Sequence, residues 1–386
     1  MWRNIASNAL SLFVVILIVG VGVIAWGKKQ YTDQGPLAQA ICLRVENGSN
    51  FSRVADSLTE QDAITNATIF RLGVDYSEKA SLLKAGSFLV EEGASMEQIV
   101  DVVTRGGAST CGTEVLYRIG VLSAVMQVRE LDPATQEYEV TAEFKPAELE
   151  GAAPETYNTV REDSDTRYRI ALAEGVTSWQ IVDSLSRADF MTGEVTETPA
   201  EGSLAPDSYE VKAGADRVAL IADMQESQAE ILAAAWEARA PDLPYASPEE
   251  ALVMASIVEK ETGLAEERRQ VASVFVNRMN KSMRLQTDPT VIYGITRGQG
   301  ALGRGLRQSE LRRETPFNTY VIDGLPPTPI ANPGKAAIEA ALNPDSTEFI
   351  FFVADGTGGH AFAVTLDEHN ANVAKWREIE AERANQ

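Results

Sequence analysis

The hydrophobic positions of the chain begin with one long unbroken run. No charged side chain occurs from Ile5 to Trp26, and about 20 consecutive apolar residues are enough to cross the hydrocarbon core of a bilayer. The pattern predicts a single transmembrane helix over residues 1–27, followed by a polar linker over residues 28–38. A cleaved signal peptide is the alternative, because small residues occur near the end of the run. Basic residues flank the run on both sides, so charge alone does not orient the helix.

Two later segments, residues 39–107 and residues 166–240, share one order of strand and helix patterns. Each begins with a short strand and a glycine turn, and each closes with a second strand, a glycine and a helix of period 3.6. The matching triplets and glycines are Leu43-Arg44-Val45 with Gly48, and Tyr168-Arg169-Ile170 with Gly175. The correspondence predicts two related α/β modules that arose by internal duplication. Residues 108–165, which are acidic and turn-rich, are interpreted as a connector or insert with strand-like patches at 114–119 and 138–144.

The pattern of the remaining segment predicts a third domain over residues 245–386. Ser247-Pro248-Glu249-Glu250 combines an N-cap serine, a proline at the first helical position and a glutamate that can close a capping box. These signals predict a helix that runs to about Thr262, with a second helix from about Glu266 to Asn280. Two apolar strands and a terminal helix follow. We therefore predict an α+β chain with one N-terminal transmembrane helix, α/β modules and a mixed α+β C-terminal domain.

Composition narrows the possible functions. The chain of 386 residues carries a formal net charge of −22, which would repel nucleic acid, so we expect no nucleic-acid partner. Cys42 and Cys111 have no partner at CxxC spacing, and in an oxidising compartment they could form one disulfide. Two free buried thiols are the alternative. His360 and His369 are the only histidines and belong to no HExxH motif, so neither a metal nor a cofactor is expected.

The helix that begins at Ser247 offers two candidate catalytic carboxyls, Glu259 and Glu261. At 100° per residue, the apolar side chains form an arc centred almost at Glu261, whereas Glu259 points roughly the opposite way. The residues of this arc are Ala251, Val253, Met254, Ile257 and Val258. A carboxyl at the centre of an apolar face has a raised pKa, as a general acid requires. A structural glutamate bonded to nearby groups is the alternative.

Several long motifs in the same part of the chain resemble one family, the endolytic murein transglycosylases (MltG/YceG-like). The motifs are Ala255-Ser256-Ile257-Val258-Glu259-Lys260-Glu261-Thr262, Val271 to Arg278, Met283 to Gly294, Phe317-Asn318-Thr319-Tyr320, Gly324-Leu325-Pro326-Pro327, and Phe352 to His360. They cover about Ser247 to Asn370 in the family's order, which is a far stronger signal than one short pattern. The family's catalytic glutamate immediately precedes the threonine of this helix, and this position is Glu261.

The resemblance implies the activity and the location. Members cleave the β-1,4 bond between N-acetylmuramic acid and N-acetylglucosamine within a glycan strand and leave a 1,6-anhydromuramoyl end. They are single-span inner-membrane proteins whose lytic-transglycosylase-type domain lies in the periplasm. The family implies peptidoglycan glycan strands as substrate, peptidoglycan synthases as partners, and a LysM-like identity for residues 39–107.

Six other polar residues in or beside these motifs are candidate substrate-binding groups for sugar acetamido and hydroxyl groups. They are Gln286, Asp288, Tyr293, Asn318, Tyr320 and His360. A lysozyme-type hydrolase is one alternative function, since Asp288 or Glu314 could supply the second carboxylate that such a mechanism needs. A non-catalytic peptidoglycan-binding scaffold is the other.

Overall fold

The computed structural model describes residues 2–105, 109–163 and 165–384. The chain forms two compact units, which contain both helices and strands, as the predicted α+β class requires. The first unit contains Met1–Val115, Gln127–Glu143 and Pro154–Arg167, and the second contains Leu116–Met126, Phe144–Ala153 and Tyr168–Gln386.

The first element is a long helix, α1 (Trp2–Thr32). Within the described residues it is the one helix long and apolar enough to cross a membrane, over Leu10–Thr32. From Leu10 to Ile24 its Leu, Ile and Val side chains are largely exposed, an arrangement that is unfavourable in water and favourable in hydrocarbon. The helix is thus consistent with the predicted single-pass anchor.

The first unit contains the strand and helix order predicted for residues 39–107. Its elements are β1 (Ile41–Val45), α2 (Phe51–Glu60), α3 (Ala67–Tyr76), β2 (Gly86–Val90) and α4 (Met96–Thr104). β1 and β2 pair antiparallel, with Ile41 opposite Val90. The apolar faces of the three helices and the hairpin share one core. Cys42 and Cys111 form a disulfide with a Cα–Cα distance of 5.6 Å, which confirms the pairing that the sequence left open.

The end of α1 and the chain that follows it are packed on this module. The ring of Tyr31 lies where a Cβ on Gly73 of α3 would be. The N–H of Gly35 donates to the carbonyl of Gly93 at 3.0 Å, and a Cβ on Gly35 would collide with backbone. The structure therefore differs from the prediction of a separate polar linker over 28–38. This stretch is part helix and part packed loop, because its aromatic and backbone groups complete the module.

The predicted connector forms regular structure. It contains β3 (Thr113–Ile119), β4 (Ala124–Leu131), β5 (Tyr138–Phe144) and α5 (Glu155–Arg161). With β6 (Arg167–Leu172) and β7 (Ser208–Val211), these strands form one five-stranded sheet in the order β5-β4-β3-β6-β7. The predicted patches at 114–119 and 138–144 are strands, but β4 was missed. Its buried Met126 and Val128 alternate with partly exposed neighbours, which is the period-2 signal of a strand.

The second unit repeats the hairpin of the first. β6 and β7 pair antiparallel, with Tyr168 opposite Val211. They alternate with α6 (Ser178–Ser186) and α7 (Arg217–Glu237). The glycines of the two copies share a left-handed conformation, with φ values of 75° at Gly48 and 79° at Gly175, a region that side chains with a Cβ disfavour. The duplication stays a prediction, and the two segments have a left-handed glycine at the corresponding turn.

The C-terminal part of the second unit is mainly helical. Its elements are α8 (Pro248–Glu261), α9 (Arg268–Asn280), α10 (Asp288–Thr296), α11 (Gln308–Leu311), α12 (Lys335–Leu342), β8 (Phe351–Ala354), β9 (His360–Ala363) and α13 (Leu366–Ala384). The partly buried side chains Ile231 and Trp236 of α7 pack into the core formed by α8, α9 and α12. The boundary predicted between residues 240 and 245 therefore does not separate two cores, because α7 supplies apolar side chains to the C-terminal one.

Helix α8 is covered on all sides over much of its length. Every residue from Ala251 to Val258 is buried, so the apolar arc seen in the sequence is only part of the buried surface. The carboxyl of Glu259 also lies inside, where it accepts a hydrogen bond from the N–H of Gly334 at 3.0 Å. Burial raises the pKa of Glu259. The helical wheel thus separates the two glutamates in direction, although both carboxyls lie at least partly inside the protein.

Candidate active site

Glu261, the last residue of α8, lies near five polar side chains, namely Thr287, Asp288, Arg278, Tyr320 and His360. Its Oε1 accepts a hydrogen bond from the hydroxyl of Thr287. Burial raises the pKa of Glu261, and the nearby carboxylate of Asp288 adds to this effect. The Thr287 hydrogen bond acts in the opposite direction, as do His360 and Arg278. The net shift favours the neutral carboxylic acid, which is the form that can donate a proton.

A buried cluster of threonines holds the loop that reaches Glu261. The N–H of Thr287 donates to the hydroxyl of Thr319 at 3.0 Å, and the hydroxyl of Thr290 donates to the carbonyl of Thr287 at 2.7 Å. All three threonines are buried. The preceding residue, Gln286, has an exposed side chain and a left-handed backbone with φ of 50°. Its backbone N–H donates to the carbonyl of Thr319 at 3.1 Å, so Gln286 contacts the threonine cluster through its backbone.

Asp288 and Tyr320 form a pair beside this loop. The hydroxyl of Tyr320 donates to Oδ1 of Asp288 at 2.7 Å. Burial raises the pKa of Tyr320, and the hydrogen bond to Asp288 and the charges of Asp288 and Glu261 raise it further. Tyr320 therefore keeps its proton and remains a donor near neutral pH. The Asp288 side chain is exposed and is free to meet a ligand with its other oxygen.

His360, the first residue of β9, is held by a glutamate that the sequence analysis did not single out. Nδ1 of His360 lies 2.8 Å from one carboxyl oxygen of Glu267, and its backbone N–H donates to the other at 2.8 Å. The ring meets Phe352 edge to face at a centroid distance of 5.1 Å. These contacts fix the imidazole plane and leave Nε2 as the ring nitrogen available to a ligand.

Two other predicted site residues are engaged within the protein. The hydroxyl of Tyr293 donates to Glu201 at 3.1 Å. The amide of Asn318, which is fully buried, donates to the carbonyls of Glu310, Leu311 and Arg313 at 3.1, 3.1 and 2.7 Å. The structure assigns Asn318 to holding this turn, which is at odds with the predicted sugar contact because its amide protons are already used.

Three contributors were missed by sequence reasoning, namely Thr287, Glu267 and Arg278. Thr287 lies inside the motif from Met283 to Gly294, where its neighbour Asp288 was preferred as a candidate because it carries a carboxylate. Arg278 is buried and donates through Nε to the carbonyl of Ile350 at 2.7 Å. The available signal was that Arg278 lies seven, four and three positions after Val271, Val274 and Phe275, on the apolar face of α9. No group of three or more His, Cys, Asp or Glu side chains suited to a metal occurs in the described part of the chain.

Comparison with known proteins identifies the family. A sequence model of the YceG-like family matches residues 43–168 and 152–375. The endolytic murein transglycosylase of Bacillus subtilis (strain 168) is 27% identical over 86% of this chain and 84% of its own length. That of Streptococcus pneumoniae serotype 2 (strain D39) is 26% identical over 87% of this chain, which spans 58% of the longer relative. A crystal structure of a yceG-like protein from Listeria monocytogenes is 25% identical, with a TM-score of 0.45, over 86% of this chain and 99% of that one. Because the family model covers most of its length, this chain belongs to the YceG-like family.

Proposed function

We propose that this protein is an endolytic murein transglycosylase. It cleaves the β-1,4 bond between N-acetylmuramic acid and N-acetylglucosamine within peptidoglycan strands and leaves 1,6-anhydromuramoyl ends. Membership of the YceG-like family and two curated relatives that carry this name support the assignment. Cleavage inside a growing strand would set where the strand terminates and so contribute to the organisation of the wall.

The observation that carries the proposal is the environment of Glu261. Its carboxyl ends a buried helix, has a pKa raised by burial, and lies beside polar side chains with exposed or unused groups. A neutral carboxylic acid at such a site protonates the glycosidic oxygen as the bond to C1 of the muramoyl ring breaks. Positive charge then develops on that ring, and the carboxylate left on Glu261 lies next to it.

The same carboxylate completes the reaction. It removes the proton from the muramoyl 6-hydroxyl while that oxygen attacks C1 and closes the 1,6-anhydro ring. Glu261 is thereby returned to its acid form, and the leaving strand keeps the transferred proton as a free 4-hydroxyl. No water is consumed, so one carboxyl can serve as acid and then as base.

A lysozyme-type hydrolase is the second candidate, because the structure places another carboxylate nearby. The charge of Asp288 acts on Glu261, and a second carboxylate could activate water. Glu314, the other residue considered, is exposed and is not among the charges that act on Glu261. The products separate the two mechanisms, since hydrolysis gives reducing muramoyl ends and transglycosylation gives anhydro ends.

The decisive experiment compares Glu261→Gln with Glu259→Gln on purified glycan strands. Glutamine keeps the shape of Glu261 and removes its acidic proton, so we expect a loss of roughly 10²–10⁴-fold or more. Glu259→Gln is the matched control. It lies on the same helix, its carbonyl oxygen can still accept from Gly334, and most activity should remain. Mass spectrometry should find anhydro ends with wild type. Comparable activity in Glu261→Gln and wild type would show that another residue acts as the acid.

The proposal extends to location. α1 would hold the protein in the inner membrane with residues after Thr32 in the periplasm, where the disulfide between Cys42 and Cys111 would be stable. Protease added to spheroplasts should then digest the chain beyond α1. Survival of the full chain until the membrane is broken would place it on the cytoplasmic side.

Binding roles complete the proposal. Residues 39–107 would act as a LysM-like module that holds the strand close to the membrane, and peptidoglycan synthases would be the neighbouring partners. Membrane-bound Glu261→Gln protein should retain purified strands, and substitutions on the surface of this module should weaken retention. Unchanged retention would make the module a spacer. Crosslinking in cells should capture a peptidoglycan synthase. Crosslinked products without a synthase would contradict this part of the proposal.

A further inference from the structure

The hydroxyl of Thr287 makes an unusual use of its position. Thr287 stands at the N-cap of α10, where a threonine side chain normally accepts a hydrogen bond from the N–H groups of the first turn. Here the side chain makes no such bond. It donates instead to Oε1 of Glu261, a residue 26 positions earlier in the chain. The hydroxyl therefore bonds to the carboxyl of Glu261 and does not cap α10.

The loop around Thr287 is built to keep this hydroxyl in place. Gln286 holds a left-handed backbone, with φ of 50°, which is disfavoured for a residue with a Cβ. Two hydrogen bonds from this loop to Thr319 maintain it, one from the N–H of Gln286 and one from the N–H of Thr287. The hydroxyl of Thr290 also donates to the carbonyl of Thr287. Strain that is maintained by a buried network next to a functional group is typical of an active site.

We infer that Thr287 is the positioning residue of Glu261, an inference that rests on the proposed function. By donating to Oε1, its hydroxyl leaves Oε2 as the oxygen that carries the proton and transfers it to the glycosidic oxygen. After that transfer the same bond keeps the carboxylate in position to take the proton of the 6-hydroxyl. Thr287 thus determines which oxygen reacts in both steps, without itself touching the bonds that change.

Loss of the Thr287 hydroxyl would also change the pH dependence of activity in one definite direction. A donor to a carboxylate favours its ionised form, so Thr287 lowers the pKa of Glu261 against the larger effect of burial. The other groups that face Glu261 are Asp288 at the start of α10, Arg278 of α9, His360 of β9 and Tyr320. These remain when the hydroxyl is removed. Since the first step needs the acid form, activity falls as the pH rises through the pKa of Glu261, and loss of the hydroxyl moves this alkaline limb to higher pH.

The test compares Thr287→Val, which keeps the shape and removes the hydroxyl, with Thr287→Ser, which keeps the hydroxyl. In the full-length protein, the rate of anhydro-end formation should fall by about 10²-fold in Thr287→Val, the size expected for a misplaced catalytic group. Its alkaline limb should move to higher pH, whereas Thr287→Ser should keep the wild-type limb. Ser256→Ala is the matched control. It removes a buried hydroxyl from α8, the helix of Glu261, whose hydrogen bonds are to Val253 and Ile330, and it should lower the unfolding temperature without moving the limb.

A wild-type limb in Thr287→Val, or an equal shift in Ser256→Ala, would overturn the inference and leave Thr287 a structural residue. Thr287→Ala is a second hydroxyl-free variant and carries the same test if valine prevents folding. Failure of the proposed function is recognised separately, because wild type itself would then yield no anhydro ends. Wild-type anhydro ends with an unmoved limb in the valine or alanine variant would overturn this inference alone.

Discussion

Burial of Glu261 affects the stability of the fold as well as the catalytic role proposed for this residue. A carboxyl whose pKa is raised on folding favours the folded state only while it stays protonated, so stability is lost as the pH rises from the unfolded value, about 4.3, through the folded one. Glu261→Gln removes this dependence. We predict that the variant becomes more stable than wild type at neutral pH and that the two converge near pH 4.

Urea denaturation at several pH values measures this difference. Glu201 and Glu259 also have pKa values raised by burial, but they occur in both proteins and cancel in the comparison. A gain that does not depend on pH would mean that the ionisation of Glu261 is not its origin.

The pair formed by Tyr320 and Asp288 gives a second prediction at the scale of residues. If the tyrosine acts by orienting the carboxylate, Tyr320→Phe should slow cleavage by roughly 10-fold, the effect of losing one hydrogen bond to a charged group. In an Asp288→Asn background the same substitution should have little further effect. Initial rates of the four proteins complete the cycle. Full additivity would show that the two side chains act independently.

Among the elements, β1 is tied by the disulfide to the segment that precedes β3. Cys42 and Cys111 are 69 positions apart, and a crosslink of this length restricts the unfolded chain. We predict that Cys42→Ser with Cys111→Ser lowers the free energy of unfolding by about 2–4 kcal/mol. Wild type unfolded under reducing conditions is the control and should match the double variant. Labelling of two free thiols per unreduced chain would instead show that the bond is absent from the protein.

A buried asparagine joins the β6–α6 region to the segment before α12. The Asn332 amide donates to the carbonyl of Val176 at 3.0 Å, and its oxygen accepts from the N–H of Leu204 at 2.9 Å. Leucine would fill the space and leave these buried groups without partners, at about 1–3 kcal/mol each. We predict that Asn332→Leu destabilises the second unit by about 2–4 kcal/mol.

Chemical denaturation followed by tryptophan fluorescence gives the value. Asn370→Leu is the control, because Asn370 is exposed on α13 and should change stability by less than about 0.5 kcal/mol. Equal effects of the two substitutions would show that the Asn332 contacts are unimportant for the unit.

For the whole molecule, α1 is expected to remain attached and to retain the enzyme at the membrane. It runs without a break to Thr32, and Tyr31 in its last turn packs on α3. Cleavage at residue 27 would therefore cut within a helix. Fractionation should recover the full chain with the membranes, and a mature N-terminus at Lys28 in a soluble periplasmic pool would contradict the prediction.

Several features of this molecule were determined by local sequence alone. The uncharged run that forms α1, the strand and helix order of residues 39–107, and the turn glycines shared by the two copies each depend on composition or period within a short window. Glu261 could be chosen over Glu259 from its direction on one helix and from the motifs around it. These signals suffice because a membrane span, a helix face and a turn are set by neighbouring residues.

Other features were decided only by the tertiary structure. The partner of Glu261 is Thr287, and His360 is oriented by Glu267 from 93 positions away. The burial of Glu259 and the packing of α7 into the C-terminal core likewise depend on which surfaces meet when helices pack. No local period encodes such meetings, because they join residues remote in sequence. The sequence thus predicted Glu261 as the candidate catalytic carboxyl. The packing of α8 against the loop before α10 determines its raised pKa and its hydrogen bond from Thr287.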